Sequence, residues 1–408
     1  MKYYYTIIEK YLFSGFFLTH FSYFRKHKFP TMNIKQVFLL FFILSLSTAQ
    51  CFSQSYSSFY LNNQEIDSSK TNKLFLQINN TNFFKNNEYF GNIAKGYTLL
   101  GFHLTPQIIY QPNEKTNIRL GTHLLNYYGR EDEIEVSLLF SLKYQFHKNV
   151  SLTLGNIKGT LNHRLIEPLF DYERFLTHNT ETGIQFLWQS EKLFGDLWLD
   201  WEQQIFHNEP FQEKFNVGLS MDYRIFKQNK FSISIPFQNI IRHHGGQINT
   251  NDDPLVTIFN NATGLTLKNE YPGKFIQQIR LSAYFVNYQD LSPTKQQMFI
   301  DGTGSYTTLE VFNKRFNFLA GYWYGKQFIA PLGNPLYETY SRTNLFVEEP
   351  VRQLFMAKIN YHQKVYNNIF LDVRFEPYYD ILNKHFEYFY GLVIIFKEDF
   401  FLKKVKKH

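Results

Sequence analysis

The stretch FNVGLSMDYRI, residues 215–225, alternates apolar and polar side chains without a break. Its odd positions carry Phe, Val, Leu, Met, Tyr and Ile, and its even positions carry Asn, Gly, Ser, Asp and Arg. Because successive side chains of a β-strand point to opposite faces, this stretch predicts a strand with one apolar and one polar face. Its eleven residues also match the ~9–11 that a tilted strand needs to cross a bilayer.

The same period of two recurs along the chain beyond residue 70, and we find no convincing helical period or coiled-coil heptad there. Clear examples are residues 134–145, 197–205, 279–285 and 369–376. The segments 256–268 and 306–312 alternate only weakly. We therefore predict about 16 strands, with a range of roughly 14–18.

The connections between these strands differ in length. Residues 147–149 and 366–368 form short connections, whereas 158–181 and 325–351 form long ones. Short turns on one rim and long loops on the other are typical of an antiparallel up-and-down barrel in an outer membrane. We therefore predict an all-β fold, a transmembrane barrel over residues 72–396. A secreted β-sandwich also has alternating strands, but long strands with aromatic residues near their ends favour the barrel.

The last predicted strand has a continuous aromatic and aliphatic face, formed by Phe386, Tyr388, Tyr390, Leu392, Ile394 and Phe396. It resembles the terminal aromatic strand by which bacterial outer-membrane barrels are recognised for assembly, and residues 72–396 as a whole resemble porin-like barrels. The resemblance implies an outer-membrane location, contact with outer-membrane lipids and the barrel-assembly machinery, and passage of small polar solutes. Residues 397–408 would then form a basic periplasmic tail.

The beginning of the chain reads as an export signal. Residues 32–49 have a short polar start, a ten-residue apolar run and small residues at Ser47 and Ala49, the order of a secretory signal peptide. Residues 1–31 fit poorly ahead of such a signal, so we interpret them as an extension from a misassigned start. Residues 50–71 are expected to be a flexible segment of the mature protein.

Charge and composition exclude several classes of function. The net charge of +7 divides into +5 over residues 1–49 and +3 from residue 397 onward, which leaves −1 for the body. A basic face for nucleic acid therefore has no support. The single cysteine, Cys51, follows Gln50 rather than a small residue, so neither lipidation nor a disulfide framework is expected.

No metal or other cofactor is expected either. His243 and His244 are adjacent, and adjacent side chains of an extended chain point apart, so their spacing does not build a metal site.

If the apolar rows face lipid, the polar rows face the barrel interior, because a charge on the lipid side near the midplane costs ~2–4 kcal/mol. Mixed charges in a water-filled bore can orient polar solutes. This sorting predicts as lumen-lining residues Arg119, Glu135, Lys143, Asp196, Asp200, Glu202, Asp222, Arg224, Arg280, Asp372, Arg374 and Glu376.

The long connection that begins at residue 158 is rich in charge. It is predicted either to fold into the bore as a constriction or to bind a ligand at the rim, because long loops often carry binding sites. Its candidate residues are His163, Arg164, Glu167, Asp171, Glu173 and Arg174.

These features favour a porin-like channel or transporter for small polar solutes. The alternative is a structural, binding or adhesion barrel that uses its long loops. A barrel hydrolase is less favoured, because the chain has no G-x-S-x-G, H-E-x-x-H or Walker-type motif. A triad can nevertheless assemble across strands without sequence adjacency. The pattern favours no particular solute or oligomeric state.

Overall fold

The computed structural model describes residues 66–131, 134–246, 248, 253–344 and 347–406. Within them, sixteen antiparallel strands close into one barrel, in which each strand pairs with its sequence neighbours and the last strand pairs with the first. The predicted up-and-down barrel of about 16 strands is confirmed. The predicted upstream extension, signal peptide and first part of the flexible segment lie outside the described residues.

The strands are numbered in chain order. Both weakly alternating segments, residues 256–268 and 306–312, lie within full strands. The bounds are β1 Lys73–Glu88, β2 Thr98–Asn113, β3 Thr116–Tyr127, β4 Glu135–His147, β5 Val150–Asn156, β6 Thr182–Gln189, β7 Leu193–Gln203, β8 Lys214–Gln228, β9 Phe231–His244, β10 Val256–Glu270, β11 Gln278–Asp290, β12 Asp301–Phe312, β13 Phe316–Lys326, β14 Val351–Tyr366, β15 Ile369–Asp380 and β16 His385–Lys404.

In the residues that the structure describes, helical structure lies outside the strands. It comprises 3₁₀ turns at Ser68–Lys70, Thr160–His163 and Pro335–Tyr337 and one short α-helix, α1, at Arg174–Thr177. No helix in the described part of the chain is both long and apolar enough to cross a membrane.

The two rims of the barrel differ. Turns of two to seven residues join β2 to β3 and every second pair after it, and the start of β1 and the end of β16 lie on this same short-turn rim. The opposite, long-loop rim carries the two longest connections, residues 157–181 between β5 and β6 and residues 327–350 between β13 and β14. Short turns mark the periplasmic side of an outer-membrane barrel.

The last strand is longer than predicted. The expected periplasmic tail, residues 397–408, is strand as far as Lys404, because this stretch pairs with the first residues of β1, from Lys73 to Asn79. Inside the barrel, Gln77 donates a hydrogen bond to Asp399 at 2.6 Å. The expected flexible segment is also anchored at its end, where the backbone N–H of Asp67 donates to Gln111 at 3.2 Å.

The apolar rows face outward from the single closed sheet. Leu138 and Phe140 of β4 are 75% and 49% exposed, while Leu139 between them is buried. Val217 and Leu219 of β8 likewise lie on the outer side, with Gly218 on the inner side. An outward apolar surface around a closed sheet is what a bilayer requires, since no backbone edge is left unpaired.

This orientation predicts a position-dependent cost for an outward charge. Phe140→Arg near the middle of β4 is expected to lower the free energy of unfolding in lipid vesicles by ~2–4 kcal/mol. Tyr366→Arg, at the exposed short-turn end of β14, is the control and should cost about 0–1 kcal/mol. Urea unfolding of both variants measures the difference, and equal costs would contradict a lipid-facing wall.

Candidate functional site

The connection between β5 and β6, residues 157–181 and here called the β5–β6 segment, lies inside the barrel. It forms hydrogen bonds or ion pairs with inward-facing side chains of strands far apart around the wall. These join Glu173 to Lys85 of β1, His163 to Asp196 of β7, Ile166 to Gln238 of β9 and Glu167 to Lys358 of β14. The segment therefore crosses the bore.

A second connection, residues 327–350 and here called the β13–β14 segment, fills the same interior. Ile329 and Tyr337 are fully buried. The carbonyl of Ile329 accepts a hydrogen bond from Asn260 of β10 at 2.6 Å, and the carbonyl of Tyr337 accepts one from Trp323 of β13 at 3.0 Å. Together with the β5–β6 segment it builds a hydrophobic core within the barrel.

Glu167 joins both segments to the wall. Its carboxylate accepts hydrogen bonds from Tyr337 at 2.9 Å and Asn334 at 3.1 Å, both in the β13–β14 segment. It also pairs with Lys358 of β14, which lies 2.8 Å from Glu376 of β15. A buried charge must be paired to be tolerated, and here the pairing fixes the position of both segments.

His163 of the β5–β6 segment is completely buried. Its Nδ1 is 2.9 Å from Asp196 and its Nε2 is 2.8 Å from Glu181. Its ring stacks on Trp198 of β7, with centroids 3.6 Å apart and planes 11° apart. Both ring nitrogens contact carboxylates, an arrangement that requires both to carry a proton.

The charge on His163 follows from these neighbours. Burial alone would lower the pKa of its imidazole, but the Glu181 and Asp196 carboxylates and their hydrogen bonds raise that pKa to about 10. The pKa of Glu181 is lowered in return, because the imidazolium outweighs the effect of burial. His163 is therefore a buried cation that anchors the segment to β7, and it is not a free base.

A different group of polar side chains lies where the start of α1 meets β1 and β2 at the long-loop rim. Glu173, immediately before α1, accepts hydrogen bonds from Lys85 at 2.5 Å and Asn87 at 3.2 Å, and one from the hydroxyl of Tyr97. We call these four residues the Glu173 site. Glu173 is 7% exposed, whereas Tyr97 is 47% exposed, so the phenol is the part of the site that a molecule at the rim can reach.

The electrostatics of the Glu173 site separate a base from an acid. Burial alone would raise the pKa of Glu173, but the Lys85 ammonium and the three hydrogen bonds hold it below its usual value. Burial, and then the Glu173 charge, raise the pKa of Tyr97. Burial, reinforced by Glu173 and opposed by Lys85, raises the pKa of nearby Asp171 to about 6. An ionised carboxylate beside a protonated phenol and an ammonium can perform general acid–base chemistry.

Two further clusters of polar side chains contain residue types that often take part in catalysis. Inside the barrel, the Thr105 hydroxyl lies 2.9 Å from His123, whose other ring nitrogen is 3.2 Å from His103. At the long-loop rim, Glu202 accepts from Arg174 at 3.3 Å and from Arg242 at 3.0 Å. The histidine pair contacts the hydroxyl of Thr105, whereas the rim group is an ion-pair network.

The predicted lumen-lining residues occupy several environments. Asp222, Arg224, Arg280 and Arg374 line an internal cavity, and Glu202 belongs to the rim network. Glu135 is exposed at the end of β4 on the long-loop rim. The remaining members are buried inside the barrel: Arg119, Lys143, Asp196, Asp200, Asp372 and Glu376.

The six candidate residues of the predicted constriction loop do not form one site. His163, Glu167 and Glu173 bind three different parts of the wall. Arg164 lies 3.7 Å over the ring of Phe194. Asp171 accepts a hydrogen bond from the backbone of Glu173 at 3.0 Å, and Arg174 belongs to the rim network.

Sequence reasoning missed the partners of these residues. Lys85, Asn87 and Tyr97 complete the Glu173 site, and Lys358 completes the Glu167 cluster. The first two occupy alternate inward positions of β1, so period two predicts that Lys85 and Asn87 share a face. It does not predict that Glu173 lies opposite them, because that contact joins residues 88 positions apart.

Residues 66–405, which include the whole barrel, match one family model. The family is described as lipid A 3'-O-deacylase-type. The chain belongs to this family. No curated protein sequence matches it.

Several solved barrels are similar to this deacylase-family member in fold. A loop L8 deletion mutant of the outer membrane protein OmpT of Vibrio cholerae has 8% identity and a TM-score of 0.48, with 80% of this chain and 99% of that chain covered. The outer membrane protein OprD of Pseudomonas aeruginosa has 10% identity and a TM-score of 0.46, with 82% and 96% covered. OccAB4 of Acinetobacter baumannii has 10% identity and a TM-score of 0.45, with 82% and 100% covered.

The location of this family member follows from its own architecture. A closed antiparallel barrel with outward apolar rows and short turns on one rim is an outer-membrane protein. The predicted outer-membrane location is confirmed.

Proposed function

We propose that this barrel is an outer-membrane hydrolase that removes an ester-linked acyl chain from a glycolipid of the lipid A class. The observation that carries the proposal is the family match over residues 66–405, which includes every strand of the barrel. The Glu173 site supplies suitable chemistry at the rim that faces away from the periplasmic turns. The outer-membrane leaflet beside that rim is where the proposed substrate would be reached.

The proposed reaction assigns a role to each group of the site. The Glu173 carboxylate accepts a proton from water, and the water oxygen bonds to the ester carbonyl carbon. The bond from that carbon to the sugar oxygen then breaks, and the sugar oxygen takes a proton from Tyr97. Glu173 returns a proton to Tyr97 through their hydrogen bond, so the site is restored. Lys85, which is buried against Glu173, keeps that carboxylate ionised so that it can accept the proton.

The architecture of the bore supports a hydrolase over an open pore. The β5–β6 and β13–β14 segments pack a hydrophobic core between the wall strands, so a path through the described residues requires these segments to move. The porin-like channel and the adhesion barrel remain predictions, and planar-bilayer conductance tests the channel. With this core in the bore, the long-loop rim is the surface that a lipid substrate in the outer leaflet reaches first.

The proposal is tested by measuring fatty acid released from a lipid A preparation by the purified, folded barrel. Tyr97→Phe is expected to lower the release rate about 10²-fold, within the range for loss of a general acid. Tyr128→Phe is the matched control, because Tyr128 is exposed at the same rim outside the Glu173 site. The control should match the wild-type rate. No release by the wild type, or equal rates for both variants, would overturn the proposal.

A further inference from the structure

A large polar cavity lies on the side of the barrel opposite the Glu173 site. It has about 240 Å³ of space for water-sized molecules, and residues 190–193 of the short-turn rim line its mouth. Residues 165–167 of the β5–β6 segment form its roof. We call it the lower chamber. It opens toward the turns and is closed at the other end by the core that the two segments build.

The wall of the lower chamber carries a row of hydroxyl groups. Ser234, Thr266, Ser282 and Thr308 are direct cross-strand partners on β9, β10, β11 and β12, and all four line the chamber. The hydroxyls of Thr266 and Ser282 lie 3.0 Å apart. Small side chains at one level of four adjacent strands leave the space that the chamber occupies, and each hydroxyl both donates and accepts hydrogen bonds.

The rows on either side of the hydroxyls add two other kinds of contact. Toward the roof, the cross-strand partners Tyr284 and Tyr306 line the chamber. Toward the mouth, Arg280 binds both carboxylate oxygens of Glu310, at 3.0 and 2.6 Å. The chamber therefore places aromatic rings, neutral hydroxyls and a fixed ion pair in successive layers.

We propose that the lower chamber binds a small carbohydrate. A sugar ring presents apolar C–H faces to aromatic side chains and closely spaced hydroxyls that both donate and accept hydrogen bonds. The Tyr284 and Tyr306 layer suits the first feature and the hydroxyl row suits the second. Binding sites for small molecules commonly combine an aromatic lining with a few convergent polar groups.

A small anion is the competing ligand, because the lining also includes Arg164, Lys192, Arg224, Lys268 and Arg374. Arg280 is paired with Glu310, and Lys358 is paired with Glu167 and Glu376. A cation that is already paired offers an incoming anion less net attraction, because its partner carboxylate repels the anion. The inference is independent of the proposed deacylation, since the chamber and the Glu173 site share no residue.

The test measures binding of glucose to the folded barrel by saturation-transfer NMR, in a detergent without a sugar head group. The wild type is expected to bind glucose with a millimolar dissociation constant. The double variant Thr266→Val and Thr308→Val keeps the side-chain shape and removes two hydroxyls, so its affinity should fall about tenfold or more. Thr153→Val is the control, because Thr153 is buried inside the barrel but does not line the chamber.

Each outcome decides the inference once heat-modifiable gel mobility shows that every variant is folded. Weaker glucose binding by the double variant than by the wild type and Thr153→Val supports the inference. Absence of glucose binding to the wild type, or equal affinities for the double variant and the wild type, would overturn it. Displacement of glucose by inorganic phosphate at lower concentration than by a second sugar would overturn the assignment to carbohydrates. Loss of deacylation in Tyr97→Phe leaves this measurement unchanged.

Discussion

Replacement of Glu173 by glutamine is expected to lower the rate of acyl-chain release about 10²–10⁴-fold, the usual contribution of a general base. The amide keeps the size of the side chain but cannot accept the proton of the attacking water. Asp301→Asn is the control, because Asp301 is an exposed carboxylate at the long-loop end of β12 with no part in the proposed reaction. Full activity of Glu173→Gln in a folded barrel would remove Glu173 from the mechanism.

The pH dependence of the same reaction identifies the base. Glu173 must be ionised, and its pKa is lowered, so activity is expected to persist in mild acid and to fall only below the ordinary glutamate pKa of about 4.3. A rate that already falls near pH 6 would instead identify Asp171 as the base, since its pKa is raised to about 6. Measuring the rate of fatty acid release between pH 3.5 and 8 distinguishes Glu173 from Asp171, because the two pKa values differ by more than about one unit.

Replacement of His163 by alanine is expected to destabilise the barrel by ~3–5 kcal/mol, the cost of leaving a buried charge without its partner. Here the variant leaves Glu181 and Asp196 facing each other across a cavity with no cation between them. It also removes the ring that stacks on Trp198. The free energy of unfolding in urea measures the loss. His207→Ala, at an exposed histidine of the long-loop rim, is the control and should cost less than about 0.5 kcal/mol.

The stabilising effect of His163 should also depend on pH. Its pKa is raised in the folded protein to about 10, above the value of about 6.5 for an unfolded histidine. Its contribution is therefore complete below pH ~6.5 and is lost as the pH rises toward ~10. Wild type should lose stability over this window relative to His163→Gln. If the free energy of unfolding changed with pH in the same way for both proteins, His163 would not be a buried cation.

The alternating strands could be predicted because their pattern is local. Residues 215–225 belong to β8, whose inner and outer faces match the polar and apolar positions of the sequence. Phe396 was a poor boundary because β16 continues to pair with β1 beyond it, and Asp399 binds Gln77 inside the barrel. A strand end depends on its partner strand as well as on its own pattern.

The arrangement inside the barrel could not be predicted in the same way. The charge-rich segment was recognised from its composition, but its position depends on contacts such as the one between Glu167 and Lys358, 191 residues apart. The Glu173 site likewise combines β1 with residues of the β1–β2 and β5–β6 connections, so no short motif encodes it. The sequence therefore contains no local catalytic motif and favours a channel, whereas the family match supports the proposed hydrolase.

The most direct test of the central claim is the mass of the lipid A class glycolipid extracted from cells that carry the barrel, compared with cells that carry Glu173→Gln. We predict that the wild-type barrel lowers that mass by one ester-linked acyl chain and that the variant leaves it unchanged. An identical mass in both extracts, with both barrels folded in the outer membrane, would contradict the account.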